Sequence, residues 1–325
     1  MLSQTELLRQ KLISYGYDGL FELLPELIGL RLGGRFVLKE LFNLGGQSLL
    51  WRAADLQIPH RPALVRMALL PYQRPAYLKE DDILHARHHI EFEAKILRTF
   101  SQTTLPAYYG LYYAHNSLQA PERGPSITET EPYLVLEFIQ GSGLDQWGRL
   151  LHSAIDLTRM ADLSELALNV TGCMIQLNQT LVAGGYLYAD ISARNLLVVH
   201  QNTNALRVVD AGGILPLAPQ KNIPVPFTWD YIPPDYYSAY KHRQNLWPTE
   251  ASVLYAVGKL LWQIMTARQP IPGSHPDLKD PGFMRCPDPI RHFIGQLIQC
   301  ECRDFNEAAG LLPGLKTDLT PYLRG

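Results

Sequence analysis

Apolar and polar positions change period several times along this chain. In residues 1–30, Leu7, Leu8, Leu12 and Ile13 recur at helical spacing, and Leu20, Leu23, Leu24 and Leu27 do so again. These helices are either an extension packed on the main fold or a partner-binding element. Residues 36–70 read as strands: Phe36–Phe42, a run ending at Asp55, and Ala63–Leu69, with Gly45 and Gly46 at the first turn. Residues 81–100 return to a helix with Ile90, Ile96, Leu97 and Phe100 on its apolar side. A long polar loop over residues 115–131 precedes a buried-type strand, Tyr133–Ile139. From residue 140 onward the pattern is mainly helical, at Leu144–Ser153 and Leu163–Leu181. One hairpin interrupts it: Leu196–Val199 and Leu206–Val209 flank the polar turn Gln201-Asn202-Thr203-Asn204. A proline-rich stretch runs on to Phe227, with no Ser, Thr or Tyr from Ile214 to Phe227, so a regulatory phosphate has no obvious acceptor there.

Composition narrows the picture. The chain has 325 residues, 46% hydrophobic and 18% charged, enough for one large globular domain or two lobes. A formal net charge of −2 gives no electrostatic case for nucleic acid or an anionic membrane. The longest apolar run, Ala251–Met265, contains Lys259 and falls short of the roughly 20 residues of a membrane span. The first residues are polar and carry no signal-peptide core. Four cysteines, with Cys300-Glu301-Cys302 lacking a second pair, argue against structural zinc and fit a reducing, cytoplasmic setting.

The hairpin carries the candidate chemistry. Antiparallel pairing at roughly 5 Å brings its outer ends together. Asn195 and Asp210 sit there and present two oxygen ligands, which suits Mg²⁺. Asp190, in the loop before it, is a carboxylate placed to orient a hydroxyl and accept its proton. The plain alternative is a hairpin with polar ends. On the helix of residues 81–100, His85, His89 and Glu93 share one face, either as metal ligands or as a polar exposed stripe beside Arg87.

The run Tyr188-Ala189-Asp190, Asn195, strand, turn, strand, Asp210-Ala211-Gly212 resembles the catalytic and metal loops of the protein kinase superfamily, eukaryotic-like Ser/Thr type. That family reads His-Arg-Asp-x4-Asn and then Asp-Phe-Gly. Its glycine loop falls on Asn43, Gly45, Ser48 and Leu50, with Gly46 beside them, and its adenine-roof alanine on Ala53. Its phosphate-clamping lysine becomes Arg66, and the partner glutamate on the next helix is Glu93, with Glu91 a nearby competitor. The inter-lobe hinge falls on Glu137, Phe138 and Ile139. Thr228-Trp-Asp-Tyr-Ile-Pro-Pro-Asp235 resembles the segment whose acid pairs with a distant arginine, here Arg303. Val253 stands where the family has an aspartate that anchors the catalytic loop, and Ser192 where it has Lys or Ala.

The resemblance covers about residues 33–315. It implies an α+β, bilobal, protein-kinase-like fold: a helical extension at 1–30, a β-rich N-lobe at 33–139 and a mainly helical C-lobe at 140–325. It further implies ATP and Mg²⁺ as cofactors, phosphoryl transfer to a protein Ser/Thr hydroxyl, and no nucleic-acid or membrane partner. The alternative is a pseudokinase that binds nucleotide or a partner protein and transfers nothing. Tyr188 is expected to fill the volume left by Ala211, with its hydroxyl on a polar partner.

Overall fold

A computed structural model describes residues 4–14, 20–44, 48–68, 80–101, 104–115, 130–146, 158–199, 205–219, 225, 227–242, 244 and 246–323. Gly45, Gly46, the turn 201–204 and most of the Leu144–Ser153 and 115–131 segments lie outside them. The chain divides into two compact units, Met1–Ser101 with Pro106–Phe138, and Gln102–Leu105 with Ile139–Gly325.

The N-terminal unit is built on an antiparallel six-stranded sheet. Its strands are β1 (Arg31–Leu32), β2 (Phe36–Leu44), β3 (Ser48–Asp55), β4 (Pro62–Ala68), β5 (Tyr108–His115) and β6 (Thr130–Glu137), in the order β1-β2-β3-β4-β6-β5. Along β3 the alternate residues Leu49, Trp51, Ala53 and Asp55 are buried, the period of two that a pleated strand imposes. Strand β6 is buried from Glu131 through Leu136, as expected of an interior strand covered on both faces. One cover is the helix α3 (Glu80–Thr99), which packs on β4, β5 and β6. On the core formed with the sheet lie the helices α1 (Gln4–Ser14) and α2 (Leu20–Leu23) and a three-ten turn, Leu24–Leu27. Leu8, Leu12, Leu20, Leu24 and Leu27 share one core with Phe36, Trp51, Val65 and Tyr133. Leu7, Ile13 and Leu23 face solvent instead, so the inward stripe is narrower than the leucine pattern suggests.

The C-terminal unit is mainly helical. It holds β7 (Gly141–Gly143), α4 (Thr158–Ala183), β8 (Tyr186–Tyr188), β9 (Leu196–Val199), β10 (Leu206–Val208), β11 (Ile214–Pro216), α5 (Pro234–Lys241), α6 (Glu250–Thr266), α7 (Pro281–Met284), α8 (Asp288–Ile298) and α9 (Phe305–Leu323). Helix α6 is buried on every side from Ser252 to Met265, the mark of a central helix. It starts at a capping box in which Thr249 and Ser252 exchange backbone N–H and hydroxyl bonds. Its lysine, Lys259, donates to the Ile271 and Ser274 carbonyls at 3.1 and 2.9 Å, and burial pulls its pKa down to about 8. Helix α4 packs on α6 and α9. The hairpin pairs Leu196 with Val208, and β8 pairs with β11. Together they carry the loop from Ala189 to Asn195. Among the described residues no helix is long and apolar enough to cross a membrane.

Candidate functional site

In the N-terminal unit, Arg66 projects from β4 at the position paired with Leu50 on one side and Leu134 on the other. Glu93 sits on the apolar stripe of α3 with Ile90, Ala94 and Leu97, and is fully buried. A carboxylate on such a stripe needs a cation. Arg66 supplies it, one terminal nitrogen lying 2.7 and 2.6 Å from the two Glu93 oxygens. Glu91 lies elsewhere on the helix and accepts a 2.7 Å bond from the Tyr113 hydroxyl. His85 is exposed and His89 half-buried, so the three-residue stripe is split by burial, and no metal-holding His/Cys/Asp/Glu group occurs among the described residues.

The other nucleotide candidates of this unit lie on β2, β3 and the end of β6. Asn43 is exposed, and its side-chain oxygen accepts the Leu44 N–H at 2.8 Å; Ser48 and Ala53 are buried and Leu50 half-buried. Glu137 and Phe138 give their backbone N–H groups to Ala107 and Pro62 carbonyls. Those two donors are therefore committed inside the unit. Ile139 begins the C-terminal unit.

In the C-terminal unit, three of the sequence candidates meet. Asn195 donates its amide hydrogens to the Asp190 carbonyl at 2.9 Å and to Asp190 Oδ2 at 2.8 Å. Thr228, expected only as a structural residue, donates its hydroxyl to Asp190 Oδ1 at 2.7 Å. Burial pushes the Asp190 carboxyl above its usual pKa, the Asp210 charge adds to this, and Thr228 and Asn195 pull the other way. Asp210 accepts the Gly212 N–H at 2.9 Å, and the Asn195 carbonyl accepts the Val209 N–H at 2.9 Å. The hairpin thus joins the loop end at Asn195 to the strand end before Asp210. Gly213 is required by close approach: a Cβ there would stand 2.5 Å from the Asp190 Cβ and 2.8 Å from the Tyr188 ring.

No protein-family model matches the chain. A Streptomyces coelicolor protein named as a probable serine/threonine-protein kinase, SCO3848, is 25% identical over 253 residues. That alignment covers 76% of this chain and 32% of the relative, so the chain spans about a third of the length of that relative. The solved structure of PpkA-294 in its apo form superposes with a TM-score of 0.59 at 16% identity, covering 88% of this chain and 98% of the other. The chain has a protein-kinase-like fold. Its α+β architecture, with a β-rich N-terminal and a mostly helical C-terminal part, is the one the motif order implied.

Three features depart from what the kinase resemblance implied. The Asp235–Arg303 ion pair does not form. Both residues are exposed, Asp235 in the first turn of α5, and the Arg303 backbone N–H goes to Glu307. The tie at the start of α9 comes instead from Glu250, whose carboxylate accepts the Phe305 N–H at 3.0 Å. An exposed pair would add little in any case.

Tyr188 is buried and its ring packs on Gly213; its hydroxyl lies beside the Asn195 side chain but makes no well-formed hydrogen bond. The Asn195 amide hydrogens point at Asp190 instead. Its backbone N–H is held by Asn178 of α4 at 2.9 Å.

Third, the loop is anchored to α6 without the aspartate that Val253 replaces. The Ala193 N–H points at Tyr231 Oη at 3.4 Å, and that hydroxyl donates to Gln263 Oε1 at 2.5 Å. Gln263 in turn donates to Gln269 at 3.0 Å. Each member donates onward in one direction, so the relay is self-consistent. Tyr231, Gln263 and Asn178 were invisible as site residues in the sequence. The one signal was a buried-type Asn or Gln inside an otherwise apolar helix.

Proposed function

We propose that this chain is an ATP- and Mg²⁺-dependent protein kinase acting on a Ser/Thr hydroxyl. The observation that carries the reading is the Asp190–Asn195–Thr228 constellation on the loop before the hairpin. Asp190 orients the acceptor hydroxyl and takes its proton. Its elevated pKa makes it a better proton acceptor than a free aspartate.

The donor set fits Mg²⁺. Asn195 and Asp210 offer hard oxygens, and the Asn195 nitrogen is already committed to Asp190, which leaves the amide oxygen as the ligand atom. ATP with Mg²⁺ supplies the phosphoryl group and neutralises its charge. Arg66, oriented by Glu93, serves the nucleotide phosphates as a guanidinium in place of an ammonium. Asn43, Gly45, Gly46, Ser48, Leu50 and Ala53 are assigned to covering the nucleotide, and the Glu137–Ile139 backbone to the adenine edge. The partner is then a hydroxyl-bearing protein, and the four unpaired cysteines fit a cytoplasmic location.

A second reading, a nucleotide- or partner-binding pseudokinase, is favoured by the substitutions Arg66, Ala189, Ser192 and Val253 at positions where the kinase pattern has other residues. Transfer of radiolabelled phosphate from ATP, including autophosphorylation, separates the two. Mg²⁺-dependent transfer that disappears in Asp190→Ala while ATP still binds supports the enzyme. Absence of transfer with Mg²⁺ and with Mn²⁺, at an ATP concentration that raises the melting temperature, leaves the pseudokinase.

A further inference from the structure

The helical extension has no part in the chemistry proposed above, yet one of its side chains ends on the residue that precedes the turn assigned to the nucleotide. Strand β2 ends at Leu44, and Gly45, Gly46 and Gln47 connect it to β3. The β2–β3 ladder is irregular toward that end: its register shifts between Leu38 and Glu40 and again between Leu41 and Asn43. Such a shift interrupts the ladder and bends the strand. Leu44, just beyond it, is held by side chains as well. Its N–H donates to Asn43 Oδ1 at 2.8 Å, and its carbonyl accepts a hydrogen bond from Lys11 Nζ on α1. Its own side chain is fully buried, in one core with Leu8 and Leu12 of α1 and Leu49 of β3. Leu8 and Leu12 are one helical turn apart, so Lys11 stands at the edge of the stripe that docks α1, half-buried. A charged donor on a carbonyl is among the stronger hydrogen bonds.

We propose that Lys11 is a positioning residue for the nucleotide-covering turn, and that the docked helix α1 is thereby part of nucleotide binding. This inference rests on the kinase reading above, which assigns residues 43–50 to the nucleotide. A glycine-rich turn has many backbone conformations open to it. Fixing its entry at Leu44 removes part of that freedom before the ligand arrives, so binding costs less ordering entropy. The gain falls on the polyphosphate, because the backbone N–H groups of such a turn are donors for phosphate oxygens. A nucleoside without phosphates gains nothing from the Lys11 bond. Lys11 acts through the backbone of Leu44 and needs no contact with the nucleotide.

The test compares the full wild-type chain with three variants. Lys11→Met keeps an unbranched apolar stem and removes the ammonium, and Lys11→Arg restores a cationic donor. Arg9→Ala breaks the exposed Arg9–Glu22 pair on the same helix. Two quantities are read: amide hydrogen exchange over residues 43–50 without ligand, and the dissociation constants of ATP with Mg²⁺ and of adenosine by calorimetry. Lys11→Met should speed exchange over residues 43–50 but not at Val65 and Val135, which are fully buried in the sheet. It should weaken ATP binding about tenfold, the usual worth of one charge-assisted hydrogen bond, and leave adenosine within about twofold. Lys11→Arg should recover most of the loss, and Arg9→Ala should show none. Unchanged exchange in Lys11→Met overturns the inference, as does an equal loss for adenosine and ATP, or the same loss in Arg9→Ala. Faster exchange across the whole N-terminal unit, or a Lys11→Met that does not fold beside a Lys11→Arg that binds no better than it, overturns it too, since Lys11 then serves the fold. Wild-type ATP binding that Lys11→Met leaves untouched overturns it and keeps the kinase reading standing. Wild type that binds no ATP overturns the kinase reading and with it the nucleotide role, whereas the exchange measurement still decides whether Lys11 holds Leu44.

Discussion

Asp55, at the end of β3 in the N-terminal unit, is buried; Asp190, in the loop after β8 in the C-terminal unit, is half-buried. Around Asp55 stand two guanidinium groups. Arg35 forks onto both oxygens at 2.9 and 2.8 Å, and Arg61 places two nitrogens on Oδ2 at 3.0 and 2.8 Å. The backbone N–H groups of Gln57 and Ile58 add two more donors, and each arginine lies over an aromatic ring, Phe36 or Tyr109. The Arg35 bond outweighs burial and holds the Asp55 carboxyl far below its usual range. Around Asp190 the donors among the described residues, Thr228 and Asn195, are neutral, and burial wins. A carboxylate neutralised by two arginines is fixed as an anion and serves the fold. One that keeps its charge uncompensated is costly to the fold and available for chemistry.

The sharpest way to break this contrast is to remove each charge in turn. Asp190→Asn should lower turnover by about 10²–10⁴-fold, the usual worth of a positioned base, with a melting temperature unchanged or raised. A drop of several degrees would put Asp190 in the same structural class as Asp55. Asp55→Asn should do the opposite. It leaves Arg35 and Arg61 facing an uncharged side chain and lowers stability, a loss moderated by the partial exposure of both arginines. Urea unfolding should show that loss, and turnover per folded molecule should stay near wild type.

The sequence displayed these two carboxylates very unequally. Asp190, Asn195 and Asp210 stood out because strand–turn–strand pairing converts their spacing into proximity. Arg66 and Glu93 stood out only through the kinase resemblance, which puts the phosphate-clamping residue and its helix glutamate at those positions. Asp55 did not. Its partners come from Arg35, across the β2–β3 register that pairs Phe36 with Asp55, and from Arg61 beyond the next turn. Nothing local in the sequence marks that convergence. Asp235 and Arg303 were the converse error. They keep familiar positions in a pattern, but their pairing depends on how the side chains are buried, and both remain in water. The Tyr231–Gln263 relay was hidden because Tyr and Gln are commoner as packing and surface residues than as anchors.

Acid sharpens the comparison further. The folded pKa of Asp55 lies below its unfolded value of about 3.9, so its stabilisation is complete above that value and is lost as pH falls through the folded value. Asp190 has the opposite sign, its contribution being present at low pH and lost as pH rises through the elevated folded value. Between about pH 4 and pH 2, wild type should therefore lose more stability than Asp55→Asn does, read by urea unfolding at each pH. The smallest effect is expected at Thr228. Its hydroxyl holds the Asp190 pKa down, so Thr228→Val should move the acid limb of the pH–rate profile to higher pH. A profile that does not move would remove Thr228 from the site.

The contrast between the two carboxylates is tested most directly by following the side-chain carboxyl ¹³C resonances of Asp55 and Asp190 through a pH titration of one folded sample. Asp55 should stay ionised to the lowest pH at which the protein remains folded, and Asp190 should take up its proton above the usual aspartate range. Equal midpoints, or Asp190 titrating below Asp55, would contradict the assignment of one to the fold and the other to the chemistry.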